Sequence, residues 1–316
     1  MDTLATRMAF GQELIRIAGI RDDFVICNAD TKTCGLDKFA ALYPEREFSF
    51  GIAEQNLVGG AVGLASCGNK VFLATFAVFA SMRACEQVRT FVCYPKLNVT
   101  ILASHTGLQV GGDGATHAAV EDVSIMRSLP NMTIIQPSDA VSARAAAHAA
   151  VDFNGPLYVR LHRNAVPDVH GEGSCRFEIG RSYRLRDYGK DMTMIVSGIL
   201  LKKALEAAEL LRARGIGVRV VEMPTIKPLD RLTVLEAARE TGAIMTIEDA
   251  TVCGGLGSAV AEVTVQEKPI PMCLVGIQDR FGESGDPELL YRDNGMDTDS
   301  IVTKAMALVA RKKALS

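Results

Sequence analysis

The sequence predicts an α/β protein made of two doubly wound domains, each with a mostly parallel sheet covered by helices on both faces. Three observations predict it. Short apolar runs that read as strands alternate with stretches of helical periodicity. Those runs are apolar on both sides of the strand, as expected of strands buried within a parallel sheet. The alternation also occurs twice, with a break over residues 164–190 that contains Pro167, Gly171, Gly173 and many charges. A chain of 316 residues is long enough to bury two such cores.

In the first series, Phe24–Asn28, Glu47–Gly51, Val71–Thr75, Val99–Ser104, Thr133–Gln136 and Leu157–Leu161 read as short buried strands. The stretches near Thr6–Ala18, Glu54–Ser66, Ser81–Val92 and Ala140–Val151 read as helices. The break reads as a linker with one hairpin over Arg176–Arg186. The second series opens on the strand Met192–Val196. In its first helix Leu201, Ala204, Leu205, Ala208 and Leu211 form one apolar stripe, and Gly215 supplies the stop. Val218–Glu222, Ile244–Glu248 and Met272–Val275 follow as strands, with helices over Leu232–Glu240, Ser258–Gln266 and Asp299–Arg311. The boundary falls near residue 185, giving domains of residues 1–185 and 186–316.

Composition excludes several classes of function. With 48% hydrophobic and 22% charged residues and a net charge of −3, the chain has no positive field to attract nucleic acid or an anionic membrane. The start, Met1-Asp2-Thr3-Leu4-Ala5-Thr6-Arg7, lacks the basic-then-apolar order of a signal peptide. No apolar run approaches the ~20 residues that span a bilayer. None of the eight cysteines forms a C-x-x-C pair, and several lie in apolar runs, so they read as buried, reduced thiols of a cytoplasmic protein.

Ligands of open parallel sheets bind beyond the carboxyl ends of the strands. Three segments there stand out. Gly51-Ile52-Ala53-Glu54-Gln55-Asn56 places an acid at the start of an unusually apolar helix with Gly59, Gly60 and Gly63. From the pattern alone Glu54 reads as an N-terminal acid favoured by the macrodipole, and the glycines as a site of close helix packing. Thr75-Phe76-Ala77-Val78-Phe79 offers either core aromatics or a flat wall for a ring. The densest segment is Ser104–His117, a strand running into a glycine-rich loop with two His, one Asp and two Thr. Its spacing fits no zinc pattern, and a site for a polar ligand is the better reading. Arg160, His162 and Arg163 close the next strand, where paired arginines suit phosphate or carboxylate and are otherwise surface charge.

Together these segments resemble the transketolase family. The resemblance rests on Phe50–Asn56, Thr75–Phe79, Gly111–His117 and Gly155–Arg160, in that order and spacing, and on Thr225–Asp230, Gly254–Val260 and Phe281–Gly285 in the second domain. It covers nearly the whole chain and is similar to the C-terminal section of transketolases made as two polypeptides. It implies thiamine diphosphate as cofactor. Glu54 matches the glutamate that hydrogen-bonds the aminopyrimidine nitrogen, which favours the imino tautomer that takes the thiazolium proton. Phe79 matches the aromatic that stacks on the pyrimidine, with Phe76 beside it. His105, Asp113 and His117 match substrate-contacting positions: Asp113 would read a sugar hydroxyl and His117 the carbonyl end, so that Glu54 and His117 are the implied catalytic pair. Arg7, His105 and Arg163 match positions that hold a distal phosphate.

The family's diphosphate and metal motif, Gly-Asp-Gly followed some dozens of residues later by Asn, is absent, because Gly112-Asp113-Gly114 belongs to the sugar loop. The resemblance therefore implies no metal site in this chain. It implies a partner N-terminal subunit carrying the diphosphate site and Mg²⁺ or Ca²⁺, an α2β2 heterotetramer, and sugar phosphate substrates. Gly112, Ala118, Asn56, Met82 and the loop Ala29–Cys34 depart from the family pattern, and most of these departures lie near the sugar. Alternatives are a 1-deoxyxylulose-phosphate synthase, which shares the Gly-Ile-Ala-Glu-Gln run, a 2-oxoacid dehydrogenase β-subunit, and a non-catalytic cofactor-binding subunit. The second domain shows no catalytic constellation and is assigned to assembly.

Overall fold

The computed structural model describes residues 4–30, 33–173 and 175–315. The part of the N-terminal reading that rests on residues 1–3, and Thr31 and Lys32 of the divergent loop, lie outside them. The first unit contains β1 (Leu4–Ala5), α1 (Thr6–Ala18), β2 (Phe24–Asn28), α2 (Asp37–Leu42), β3 (Glu47–Ser49), α3 (Glu54–Ser66) and β4 (Lys70–Phe76). A broken helix follows, with wide π-type turns over Phe79–Arg83 and Val88–Cys93 around the α-helical α4 (Cys85–Gln87). Then come β5 (Val99–Ser104), α5 (Asp122–Ser128), β6 (Thr133–Ile135), α6 (Ala140–Asp152), β7 (Leu157–Arg160) and β8 (Ala165–Val166).

The second unit contains β9 (Tyr183–Asp187), β10 (Met192–Val196), α7 (Leu201–Ala213), β11 (Val218–Glu222), β12 (Thr225–Lys227), α8 (Arg231–Thr241), β13 (Ile244–Thr251), α9 (Leu256–Glu267), β14 (Met272–Ile277), α10 (Pro287–Asp293) and α11 (Thr298–Leu315).

The larger sheet runs β12-β6-β7-β5-β4-β2-β3 and is parallel except at β12. Strand alternation divides its side chains between two cores. Phe24, Ile26, Phe72 and Leu102 pack beneath α1 and α6, while Val25, Val71, Leu73 and Ile101 pack beneath α3, α5 and the broken helix. The smaller sheet runs β14-β13-β10-β11-β9 and is parallel except at β9. Its Met192, Met194 and Val220 face α7 and α11, and Ile195 and Val221 face α8 and α9. Both units are thus doubly wound, as the both-sided apolar strands require.

Several expectations change on contact with the structure. The hairpin over Arg176–Arg186 does not form. Tyr183–Asp187 pairs antiparallel with β11, a ready-made edge, and the residues before it turn at Gly180 (φ +90), whose N–H donates to Thr225 Oγ1 at 2.9 Å. A boundary at residue 185 would cut this strand, which belongs wholly to the second sheet. β12, far along the second half, returns to pair with β6 of the first sheet. Of the cysteines, Cys27, Cys34 and Cys93 are buried, but Cys67 and Cys253 are exposed; all eight are unpaired.

The three glycines of α3 also divide by role. A Cβ on Gly60 would lie 2.1 Å from the Phe50 ring, so this glycine makes room for an aromatic, whereas Gly59 and Gly63 face open space.

One of the points that fasten the linker is Asp139. Asp139 caps α6 through Ser142 N–H at 2.7 Å and accepts from the N–H groups of Val169 and His170, each at 2.8 Å. The His170 ring bridges Asp139 (2.9 Å) and Glu222 of β11 (3.0 Å). Burial lowers the His170 pKa, but the two carboxylates outweigh it and raise it to about 10.

Candidate active site

The positions singled out in the sequence converge at the carboxyl ends of the first sheet. Glu54 opens α3 after β3, Phe76 ends β4, and Phe79 begins the wide turn that follows. His105, Asp113 and His117 lie in the loop after β5, and Arg163 lies beyond β7. Arg7 arrives from α1 because Thr6 Oγ1 accepts the His162 N–H at 2.8 Å, which ties the start of that helix to the end of β7.

The aromatic side chains form one wall. Phe76 lies tilted against His105 with ring centroids 4.1 Å apart and 5.9 Å from Phe79, and His117 meets both phenylalanines edge-on at 5.7 and 5.5 Å. His105 holds φ +61, a left-handed backbone that non-glycine residues adopt only under constraint. Its Nδ1 lies 3.0 Å from Ser104 Oγ. Burial, with Arg7 and Arg163 nearby, depresses its pKa to about 4, so the ring is neutral near pH 7. His117 Nδ1 lies 2.9 Å from Thr116 Oγ1.

A basic corner adjoins the wall. Arg7 Nε donates to the Arg163 carbonyl at 3.0 Å, Arg163 Nη1 donates to the Val110 carbonyl at 3.1 Å, and Arg163 Nε faces Asp113 at 3.6 Å. Both arginines are half-buried, which leaves part of each side chain open to an anion.

Glu54 is 1% exposed. Its Oε2 accepts from Arg83 at 2.8 Å, and the Arg83 guanidinium lies 4.3 Å over the Phe79 ring. Its Oε1 is buried with no partner. An acceptor left without a donor in a dry site is costly. A planar heterocycle with a ring N–H, lying against Phe79, would satisfy it. The residues present therefore fit an aminopyrimidine. Sequence reasoning missed Arg83, although its place four residues after Phe79 puts it one helical turn away on the same face.

One expectation fails here. Arg160 is not an anion ligand. It is fully buried, its guanidinium grips Asp122 at 3.0–3.2 Å, and it donates to the carbonyls of Ala119 (3.0 Å) and Asp249 (2.8 Å). His162 is likewise buried, and burial beside Arg160 holds its pKa well below the ordinary value. Ala118, one of the departures from the family pattern, is buried, and a Cβ on Gly282 would lie 2.9 Å from it. Gly112 and Met82 are exposed beside the loop and the aromatic wall, with open space around Gly112.

Comparison with known proteins gives the same outline. A family model described as the transketolase pyrimidine binding domain matches residues 2–169, and one described as the transketolase C-terminal domain matches residues 180–301. A putative transketolase C-terminal section of Methanocaldococcus jannaschii is 40% identical over 306 residues, 95% of each chain. A 6-deoxy-6-sulfo-D-fructose transketolase subunit of a Clostridium species is 39% identical over 300 residues, covering 95% of this chain and 92% of that one. Among solved structures, a split gene transketolase described as an inactive β4 tetramer superposes with a TM-score of 0.91 at 45% identity, over 98% of this chain and 99% of the other.

Proposed function

The chain belongs to the transketolase family, and from that premise we propose that it is the pyrimidine-binding subunit of a split transketolase moving a two-carbon ketol unit from a ketose phosphate to an aldose phosphate. The observation that carries this reading is the buried, unpartnered Glu54 Oε1, on a carboxylate that Arg83 links to the Phe79 ring. Thiamine diphosphate, when bound, supplies the electron sink for carbon–carbon cleavage. Glu54 holds the proton at the pyrimidine nitrogen. Phe79 stacks on that ring, and Phe76 backs the imidazoles of His105 and His117. His117 faces the carbonyl end of the sugar and exchanges protons with its oxygen. Asp113 accepts from a hydroxyl. Arg7 and Arg163 hold the distal phosphate as fixed charges, and His105, neutral near pH 7, adds an uncharged hydrogen bond.

The diphosphate and its Mg²⁺ or Ca²⁺ belong to a partner N-terminal subunit, in an α2β2 assembly. The solved relative described as inactive when built of β chains alone supports that division. The relative described by a sulfonated fructose supports a donor other than the common pentulose phosphate, as do the exposed Gly112 and Met82 beside the site.

The test is reconstitution with the partner, thiamine diphosphate and Mg²⁺, followed by a screen of ketose donors with an aldose acceptor, and of pyruvate. Ketol transfer is expected. Turnover of pyruvate alone would favour the synthase or dehydrogenase reading, and no turnover at all the non-catalytic one. Xylulose 5-phosphate giving the highest kcat/KM of all donors would end the modified-ketose reading.

A further inference from the structure

The loop from His105 to His117 carries three of the proposed substrate contacts, and its footing lies in the other domain. Asp249, in β13, is fully buried. Its Oδ1 accepts from the Leu108 N–H at 3.0 Å and its Oδ2 from the Tyr291 O–H at 2.8 Å. Gly107 holds φ +67 with its Cα against that carboxylate, where a Cβ would lie 2.0 Å from Oδ2. Two residues earlier His105 holds its own left-handed backbone (φ +61). Gly107 N–H donates to the Ala119 carbonyl at 2.9 Å, closing the loop at its base. The buried Arg160 spans the same point, donating to the carbonyls of both Ala119 and Asp249.

The outer arc of the loop rests on the same domain. Gly285 N–H donates to the Gly111 carbonyl at 3.4 Å. Gly114 lies against Ser284, and Ala118 against Gly282.

We infer that Asp249 is a positioning residue of the site: from the second domain, it sets the turn that holds His105, and the loop beyond it, in place for the sugar. The inference rests on the function proposed above and gives the second domain a part beyond assembly. No hydrogen bond or ion pair joins Asp249 to Phe76, Phe79 or Glu54 among the described residues, so its loss should disturb the sugar and spare the cofactor.

Two variants test it. Asp249→Asn keeps the shape and one acceptor but turns an N–H₂ toward Tyr291. Tyr291→Phe removes only the hydroxyl donor and preserves the ring, which protects the experiment if the first variant folds poorly. In the full chain alone, hydrogen–deuterium exchange of amides 105–118 should quicken about tenfold or more, as the loss of one charge-assisted hydrogen bond implies, while exchange in residues 192–196 and 218–222 stays unchanged. In the reconstituted pair, KM for the ketose should rise and kcat fall, with thiamine diphosphate affinity, measured directly by calorimetry, unaltered. Unchanged exchange in 105–118 for both variants would overturn the inference, and so would a loosened loop with unchanged KM and kcat. If the wild-type pair shows no ketol transfer, the proposed function fails, and the exchange arm still decides whether Asp249 positions the loop.

Discussion

A buried carboxylate is stable only where its oxygens find donors, and Glu54 has a donor for one of its two. Glu54→Gln isolates the other. Glutamine keeps the size and still accepts from Arg83, but its neutral amide does not hold a proton on the pyrimidine nitrogen. Turnover of the reconstituted pair should fall by at least about a hundredfold while the melting temperature of the chain stays within a few degrees; near-normal turnover would mean that Glu54 has another role. Arg163 poses a different test, because a distal phosphate contact is made equally in ground and transition states. Arg163→Ala should raise KM for phosphorylated ketoses more than it lowers kcat. Arg163→Lys should restore only part of the loss, since a point charge replaces a planar fork. Kinetics on a matched unphosphorylated sugar supply the check: an equal defect on both substrates removes Arg163 from the phosphate site.

Among the elements, the linker gives the clearest dependence on pH. The unfolded chain releases the His170 proton near the ordinary value of 6.5, and the folded chain keeps it to about 10. Between those values the native state binds more protons, so stability falls as pH rises through the window; below it the contribution is complete. Urea unfolding should lose about 2–4 kcal/mol between pH 6 and pH 10 through this group, and His170→Gln should flatten that slope. No such group was legible in the sequence, since Asp139, His170 and Glu222 are far apart in the chain and meet only when the two sheets dock. Elements set by their own periodicity were legible to the residue, as with α1, β2, α3 and β5. The short helix α10 carried an unused signal, Asp286 as N-cap with Pro287 after it. The convergence of the candidate site was readable where its residues end or follow a strand, as with Glu54, Phe76 and His105. Arg160 was misread because its partners, Asp122 and the Asp249 carbonyl, come from other elements.

For the whole molecule, the proposed division of labour predicts that the purified chain alone, given thiamine diphosphate and Mg²⁺, turns over no ketose at a rate comparable to the reconstituted pair. A single-chain rate matching that of the pair would remove the partner from the mechanism. The crossing of β12 bears on how the chain is threaded. The backbone leaves the larger sheet, lays down β9, β10 and β11, returns to complete the larger sheet at β6, and departs again. The two units are therefore interlaced and not strung in series. A protease nick in the exposed stretch 171–173 would break the peptide yet free neither piece, and the fragments should co-elute as one particle until denatured. A chain ended after residue 185 would instead leave β6 with a bare edge, the kind of surface on which one molecule recruits another into a growing stack.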